Sequence, residues 1–504
     1  MTSEQEKIGQ FIKDLRERKG LTQGEFASML ETSQSAVARM EKGEQNFTTE
    51  MLSKISSALN HQIVSLSSGS VDFRIKGGKK LSGSINTNTS KNGAMGLMCA
   101  ALLNKGKTIL HGIPKIEEVF RIIEVLESIG VDVRWSSAKT LEIQPPDNFD
   151  LDSILAESAS KTRTILMFIG PLAHRLKTFS LPHSEGCKLG KRTASAHIYG
   201  LQELGINVEV THSSYNVSAP KPTANTVVMY ESGDTAVENV LLAAAKIPGK
   251  TTIKFATPNY MVQDVCFFLE RCGVKVEGIG TTTLIVHGIE EINETIEHWN
   301  SEDPIEAMMF LSAAIVTESE ITICRAPIEF LELELYKLKK MGFEYELSAP
   351  YASNNGRTTL VDITTKPSKL VALTEKIDSR PFPGINIDNL PFFVPIAAKA
   401  EGTTLIHDWV YETRAIYYME LTRLNATMIL ADPHRVFIEG PCVFKPAQVV
   451  CPPALRPAMI ILIGMLAANG TSILRNVYSI SRGYEEIADR LNSLGADIEV
   501  LSEM

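Results

Sequence analysis

The sequence predicts an α/β (α+β) protein. Its body is two domains of three repeated units each, with buried helices ringed by sheets, and a small all-α head precedes it. Three observations carry this reading. One unit recurs six times from residue 71 onward, and recurrence at a near-fixed period is the signature of a repeat architecture. The units contain helices apolar on every side, which only a core accommodates. The composition also changes across Ser67-Ser68-Gly69-Ser70, a short flexible linker.

At 504 residues the chain exceeds one ordinary core. Hydrophobic residues make up 44% and charged residues 22%, the balance of a soluble globular protein. A net charge of −9 argues against a protein wrapped in nucleic acid, yet leaves room for a small DNA-reading module. No apolar run reaches the ~18–20 residues of a membrane helix. The opening MTSEQEKIGQ is too polar for a secretory signal. No membrane partner is expected. Seven scattered cysteines, none in a CxxC pair, suggest neither a disulfide framework nor a zinc site. A reducing cytoplasm fits them.

The head, residues 1–66, lacks proline. Ile8, Phe11, Ile12 and Leu15 recur at helical spacing. Thr22 is placed to cap a helix whose buried face is Phe26, Ala27 and Leu30. Thr32-Ser33-Gln34-Ser35 opens another through Ala36, Val37 and Met40, and Gly43 can close it left-handed. Two short helices across a tight turn make a helix-turn-helix. The stretch LTQGEFASMLETSQSAVARMEKGE resembles the phage-repressor (Xre-type) family. That resemblance implies a second helix in the major groove, with Gln34, Ser35 and Arg39 toward bases or phosphates and Gln23 toward the backbone. Xre-type heads commonly pair, which implies a homodimer. Residues 1–66 nevertheless hold eight Lys+Arg against nine Asp+Glu, without the basic footprint of DNA binding. A helix-turn-helix that only dimerises or docks a partner is the alternative.

The six units begin at Gly106, Lys177, Gly249, Ser319, Glu401 and Gly470. Each enters on a β-rich run, continues into a helix and leaves through a Leu-x-x-(Leu/Cys/Met)-Gly-x-x-(Val/Ile)-like exit. Leu97 through Leu102 and Met459 through Leu466 read as buried helices, and Thr283-Leu284-Ile285-Val286 as a short strand. In the second unit, Cys187 lies between Gly186 and Gly190 and within five residues of Lys188, Lys191 and Arg192. Nearby cations favour thiolate, and glycines let a loop approach a ligand. The alternative is a small residue in a basic surface loop.

Six such units, with the basic cysteine loop in the second, resemble the enolpyruvyl transferases over residues 71–504. The resemblance implies two inside-out α/β barrels, residues 92–300 and residues 72–91 plus 301–504, with the active site in the cleft between them. It implies that Lys91 binds phosphoenolpyruvate and that Asn92 binds the sugar nucleotide. Arg163, Arg192 and Arg414 become substrate-binding arginines, and Arg456 engages the phosphoenolpyruvate carboxylate. Asp388 becomes the catalytic aspartate and Cys187 the general acid. The implied reaction moves an enolpyruvyl group to a hydroxyl of UDP-N-acetylglucosamine, with phosphate release, in peptidoglycan precursor synthesis. It implies no cofactor and no metal. The chemistry suits these residue types: arginine binds carboxylate and phosphate bidentately, an aspartate can take the hydroxyl proton, and a thiol can protonate the methylene carbon.

The sequence departs from the family's pattern at three places. Asn88-Thr89-Ser90 precedes Lys91-Asn92 where the family has Gly-Ala. Thr193-Ala194-Ser195 stands where a Pro-x-Asp segment cradles the uracil ring, and Pro258-Asn259-Tyr260 replaces an acidic cluster. The phosphoenolpyruvate half is therefore expected intact and the nucleotide half altered. Two further readings stay open: an enolpyruvyl transferase with another acceptor, and a transcription regulator whose body senses a cell-wall precursor.

Overall fold

The structure, a computed structural model, describes residues 4–44, 51, 54–55, 58–59, 71–184 and 193–502. Helices Glu4–Arg18, Gln23–Met29 and Gln34–Glu41 open the head. Thr22 builds a full capping box with Glu25, each side chain meeting the other's backbone N–H. Ser33 caps the next helix, and Gly43 follows it at φ 69°. Ile12, Phe26, Leu30, Val37 and Met40 close a small core with Ile55 and Leu59. A buried ion pair, Arg16 Nε to Glu41 Oε1 at 2.5 Å, ties the first helix to the end of the third. Thr22→Ala is expected to cost the head about 1 kcal/mol, read as faster amide exchange across residues 23–29.

The sequence units reappear as one strand pattern. Five of the six unit-opening strands have an antiparallel partner on one side and a parallel partner on the other. Thr108–His111 pairs with Thr140–Gln144 and, in parallel, with Ile296–Trp299. Gly249–Lys254, Glu320–Pro327, Gly402–His407 and Gly470–Arg475 repeat the arrangement. Thr178–Pro182 has only its antiparallel partner, Ser214–Ser218, among the described residues. Three sheets take all their strands from residues 108–299. The other three take theirs from residues 71–86 and 320–502.

The helices inside these sheets are the apolar ones. Asp234–Ala245, Pro304–Val316, Phe393–Lys399 and Leu455–Ala467 are buried along nearly their whole length, as is Lys91–Ala100 beyond its first turn. Helices inside and sheets outside make two inside-out α/β barrels. The stretch Arg414–Leu424, within the fifth unit's expected helix, is 3₁₀ rather than α-helix. None of the described helices is long and apolar enough to cross a membrane.

A backbone detail also repeats. Six residues after Gly106, Gly249, Ser319 and Gly470 the chain turns left-handed, at Gly112 (φ 74°), Phe255 (φ 58°), Arg325 (φ 60°) and Asn476 (φ 55°). Glycine and asparagine tolerate this conformation, whereas a β-carbon-bearing bulky residue is strained there. The chain crosses between the barrels twice, and the crossings pair side by side. Ser90 N–H donates to the Ser301 carbonyl at 2.7 Å, and Asp303 N–H to the Asn88 carbonyl at 2.8 Å. The head meets the first barrel through Lys19 and Glu127, 2.6 Å apart.

Candidate active site

Just past these crossings, the first turns of the helices Lys91–Ala100, Pro304–Val316 and Leu455–Ala467 come together with the segment before the 3₁₀ turn Leu390–Phe392. Helix N-termini carry partial positive charge and unsatisfied N–H groups, so their convergence favours anions. Ser90 and Asp303 each cap their helix through the side chain.

The charged side chains here form a connected set. Lys91 Nζ donates to Glu118 Oε2 at 2.6 Å. Arg456 is buried; its Nη2 donates to Asp388 Oδ2 at 3.3 Å and its Nη1 to the Tyr484 hydroxyl at 2.6 Å. Arg414 is fully buried. Its guanidinium grips Asp408 at 2.6 and 2.9 Å, donates to the Ile387 carbonyl at 2.7 Å, and lies 3.6 Å from Asp388 Oδ1. The Tyr418 hydroxyl also donates to Asp408, at 2.5 Å. Asn92 Nδ2 donates to the Tyr260 hydroxyl at 3.3 Å, and the Ser90 hydroxyl donates to it at 3.1 Å.

Electrostatics separate the two aspartates. Burial alone would raise Asp388, but Arg456, Arg414 and Lys91 outweigh it and hold the carboxyl below its ordinary range. Asp303 goes the other way. Burial pushes it up to about 6, with Arg456 pulling down and Glu306 pushing up. A carboxylate held low is a poor proton acceptor, and one near 6 is a good one. Sequence reasoning missed Asp303. The local pattern Asp303-Pro304, an N-cap followed by proline at the first helical position, marks only the start of the helix Pro304–Val316.

The structure thus gathers Lys91, Asn92, Asp388, Arg414 and Arg456. Arg163 opens the 3₁₀ helix Arg163–Phe168, its Nη2 donating to the Thr193 carbonyl at 3.4 Å. Cys187 and Arg192 lie outside the described residues. In the head, Gln34, Ser35 and Arg39 are exposed along the third helix. Gln23 instead donates to Glu41 Oε2 at 2.8 Å, joining the buried ion pair rather than facing outward.

The model of the family described as EPSP synthase (3-phosphoshikimate 1-carboxyvinyltransferase) matches residues 75–491, and a helix-turn-helix model matches residues 12–62. The UDP-N-acetylglucosamine 1-carboxyvinyltransferase of Treponema denticola is 32% identical over 437 residues, 85% of this chain and 99% of that protein. Its counterpart in Bradyrhizobium diazoefficiens is 32% identical over 436 residues, 86% of this chain and 99% of that one. Among solved structures, the enolpyruvyl transferase NikO from Streptomyces tendae superposes with a TM-score of 0.75 at 22% identity, covering 86% of this chain and all of that one. EPSP synthase from Acinetobacter baumannii gives 0.68 at 18% identity, covering 86% of this chain and 100% of that one. At these identities the two structures speak for the fold.

Proposed function

This chain belongs to the enolpyruvyl transferase family, with EPSP synthase and the UDP-N-acetylglucosamine 1-carboxyvinyltransferases, and on that premise we propose that it transfers the enolpyruvyl group of phosphoenolpyruvate to a hydroxyl of UDP-N-acetylglucosamine. The observation that carries the reading is the meeting of Lys91, Arg456 and Arg414 with two electrostatically opposed aspartates at converging helix N-termini.

Lys91 and Arg456 bind the phosphoenolpyruvate anion, Arg456 engaging its carboxylate. Arg163 and Arg192 take phosphate oxygens, and Asn92 holds the acceptor. Asp303 is the general base. As the acceptor oxygen bonds to C2 of phosphoenolpyruvate, its proton passes to Asp303, while the Cys187 thiol protonates C3. A tetrahedral phosphate-bearing ketal results. Return of a C3 proton to the Cys187 thiolate and cleavage of the C2–O bond to phosphate then give the enol ether and inorganic phosphate. Asp388, flanked by Arg414 and Arg456, orients those guanidinium groups instead of taking the proton. The cations stabilise charge as it develops on carboxylate and phosphate.

Phosphate release from phosphoenolpyruvate and UDP-N-acetylglucosamine tests the reading. Wild type is expected to release phosphate in proportion to acceptor consumed, and Cys187→Ser to lose at least about 100-fold in rate. No release with any sugar nucleotide would sink the assignment. Exposed Gln34, Ser35 and Arg39 support a DNA-binding role for the head, which a gel-shift competition between operator and random duplex would test. A different acceptor is the second reading, favoured by Thr193-Ala194-Ser195.

A further inference from the structure

Three large aromatic residues on the helix after the altered segment and on two neighbouring segments are left in solvent. Tyr230 is 71% exposed, Phe255 61% and Tyr199 47%. Tyr199 and Tyr230 already meet edge to face, their ring centroids 5.3 Å apart. Tyr199 lies on the helix Ser195–Gln202, which begins at the altered segment Thr193-Ala194-Ser195. The Thr193 carbonyl accepts from Arg163. Tyr230 lies just ahead of Asp234, in the first turn of an inner helix, and Asp234 Oδ2 accepts from Asn259 Nδ2 at 3.1 Å. Asn259 caps the helix of Tyr260, whose hydroxyl meets Asn92. Four residues of backbone and then these hydrogen bonds therefore lead from Tyr230 to Asn92, the residue proposed to hold the acceptor.

Phe255 adds an independent observation. It occupies the left-handed position that Gly112, Arg325 and Asn476 fill in other units, where a bulky side chain is strained. The backbone beside it is pinned to the tyrosine segment: the Ser232 hydroxyl donates to the Phe255 carbonyl at 2.9 Å, and Met229 N–H to the Lys254 carbonyl at 3.1 Å. Strain kept at an exposed aromatic residue points to use rather than stability.

We infer that Tyr199, Tyr230 and Phe255 form a stacking platform for the nucleobase of the acceptor, which is held by its ring face rather than by hydrogen bonds to its edge. The inference rests on the acceptor being a sugar nucleotide. Every base has a π-face, so stacking tolerates base identity where edge-reading does not. The absence of a carboxylate at Thr193-Ala194-Ser195 fits that tolerance. The acceptor class widens from uridine diphosphate sugars to nucleoside diphosphate sugars generally.

Calorimetric titration of the full-length chain with UDP and with ADP tests this without turnover. Wild type is expected to bind both, with Kd values within about ten-fold of each other. Tyr230→Ala is expected to weaken both about ten-fold, and Tyr230→Phe to restore them. Phe255→Asn is expected to weaken both while raising the melting temperature by about 1–2 °C, since it relieves the left-handed strain. UDP preferred over ADP by a hundred-fold or more, unchanged Kd values in Tyr230→Ala and Tyr199→Ala, or no binding of either nucleotide would each overturn the platform. Failure of phosphate release alone would count against the proposed reaction and leave the platform standing.

Discussion

Asp303→Asn is expected to slow phosphate release by about 10²–10⁴-fold while making the protein more stable at pH 7.5. The rate loss follows from removing the group proposed to take the acceptor proton. The gain in stability follows from linkage. The folded-state pKa of Asp303 is pushed up to about 6, above its ordinary 3.8. Between those values the folded state binds the extra proton, so stability falls as pH rises through that window. Above it, the buried charge costs on the order of 3 kcal/mol. Asparagine carries no charge and can still accept the Ile305 N–H, 2.9 Å from Asp303 Oδ1, so the helix keeps its cap. Wild-type kcat/KM is expected to drop as pH falls through about 6, and the residual rate of Asp303→Asn to lack that limb. A melting-temperature series and a pH–rate profile read both halves. A variant that kept wild-type turnover would remove Asp303 from the base role.

Asp408→Ala is expected to destabilise the protein by about 3–5 kcal/mol, because it leaves the buried Arg414 guanidinium without its bidentate partner. Tyr418 loses its acceptor at the same time. Tyr418→Phe, which removes only that hydroxyl, is expected to cost about 1 kcal/mol. Glu127→Ala breaks a partly exposed ion pair with Lys19 and is expected to cost less than about 1 kcal/mol. Urea denaturation of the three variants ranks these terms, and an Asp408→Ala loss no larger than that of Glu127→Ala would refute the argument.

Much of the architecture was legible because a repeat multiplies a weak signal. Each unit's opening strand is short, four residues in Thr108–His111, and alone it would be ambiguous. The same strand opening six units is not. Helices apolar all round announced an inside, and Thr22 and Ser33 announced helix starts whose caps the structure reproduces. The charged cluster was legible only in part. Lys91, Asp388, Arg414 and Arg456 stood in recognisable motifs. Asp303 did not, because its character comes from burial beside Arg456 and Glu306, residues 153 and 3 positions away, and no local pattern encodes that field. Gln23 shows the same limit: its side chain donates to Glu41, 18 residues on, a partner that no local pattern announces. The 3₁₀ form of Arg414–Leu424 was invisible to periodicity, since its helical spacing of apolar residues serves either winding.

The strand Val71–Gly77 sits between Gly470–Arg475 and Ile498–Ser502, and its Arg74 pairs with Glu499, 425 positions away. During synthesis this strand emerges among the first residues of the body and waits for nearly all the rest. The first barrel can close once residue 299 is free, whereas the second cannot close until the last strand is. The head, joined just ahead of Val71, therefore spends most of synthesis tethered to an unpaired edge. Such edges invite pairing with other chains. A chain shortened by only its final strand would keep every charged residue gathered around Asp388 and still leave that edge permanently open.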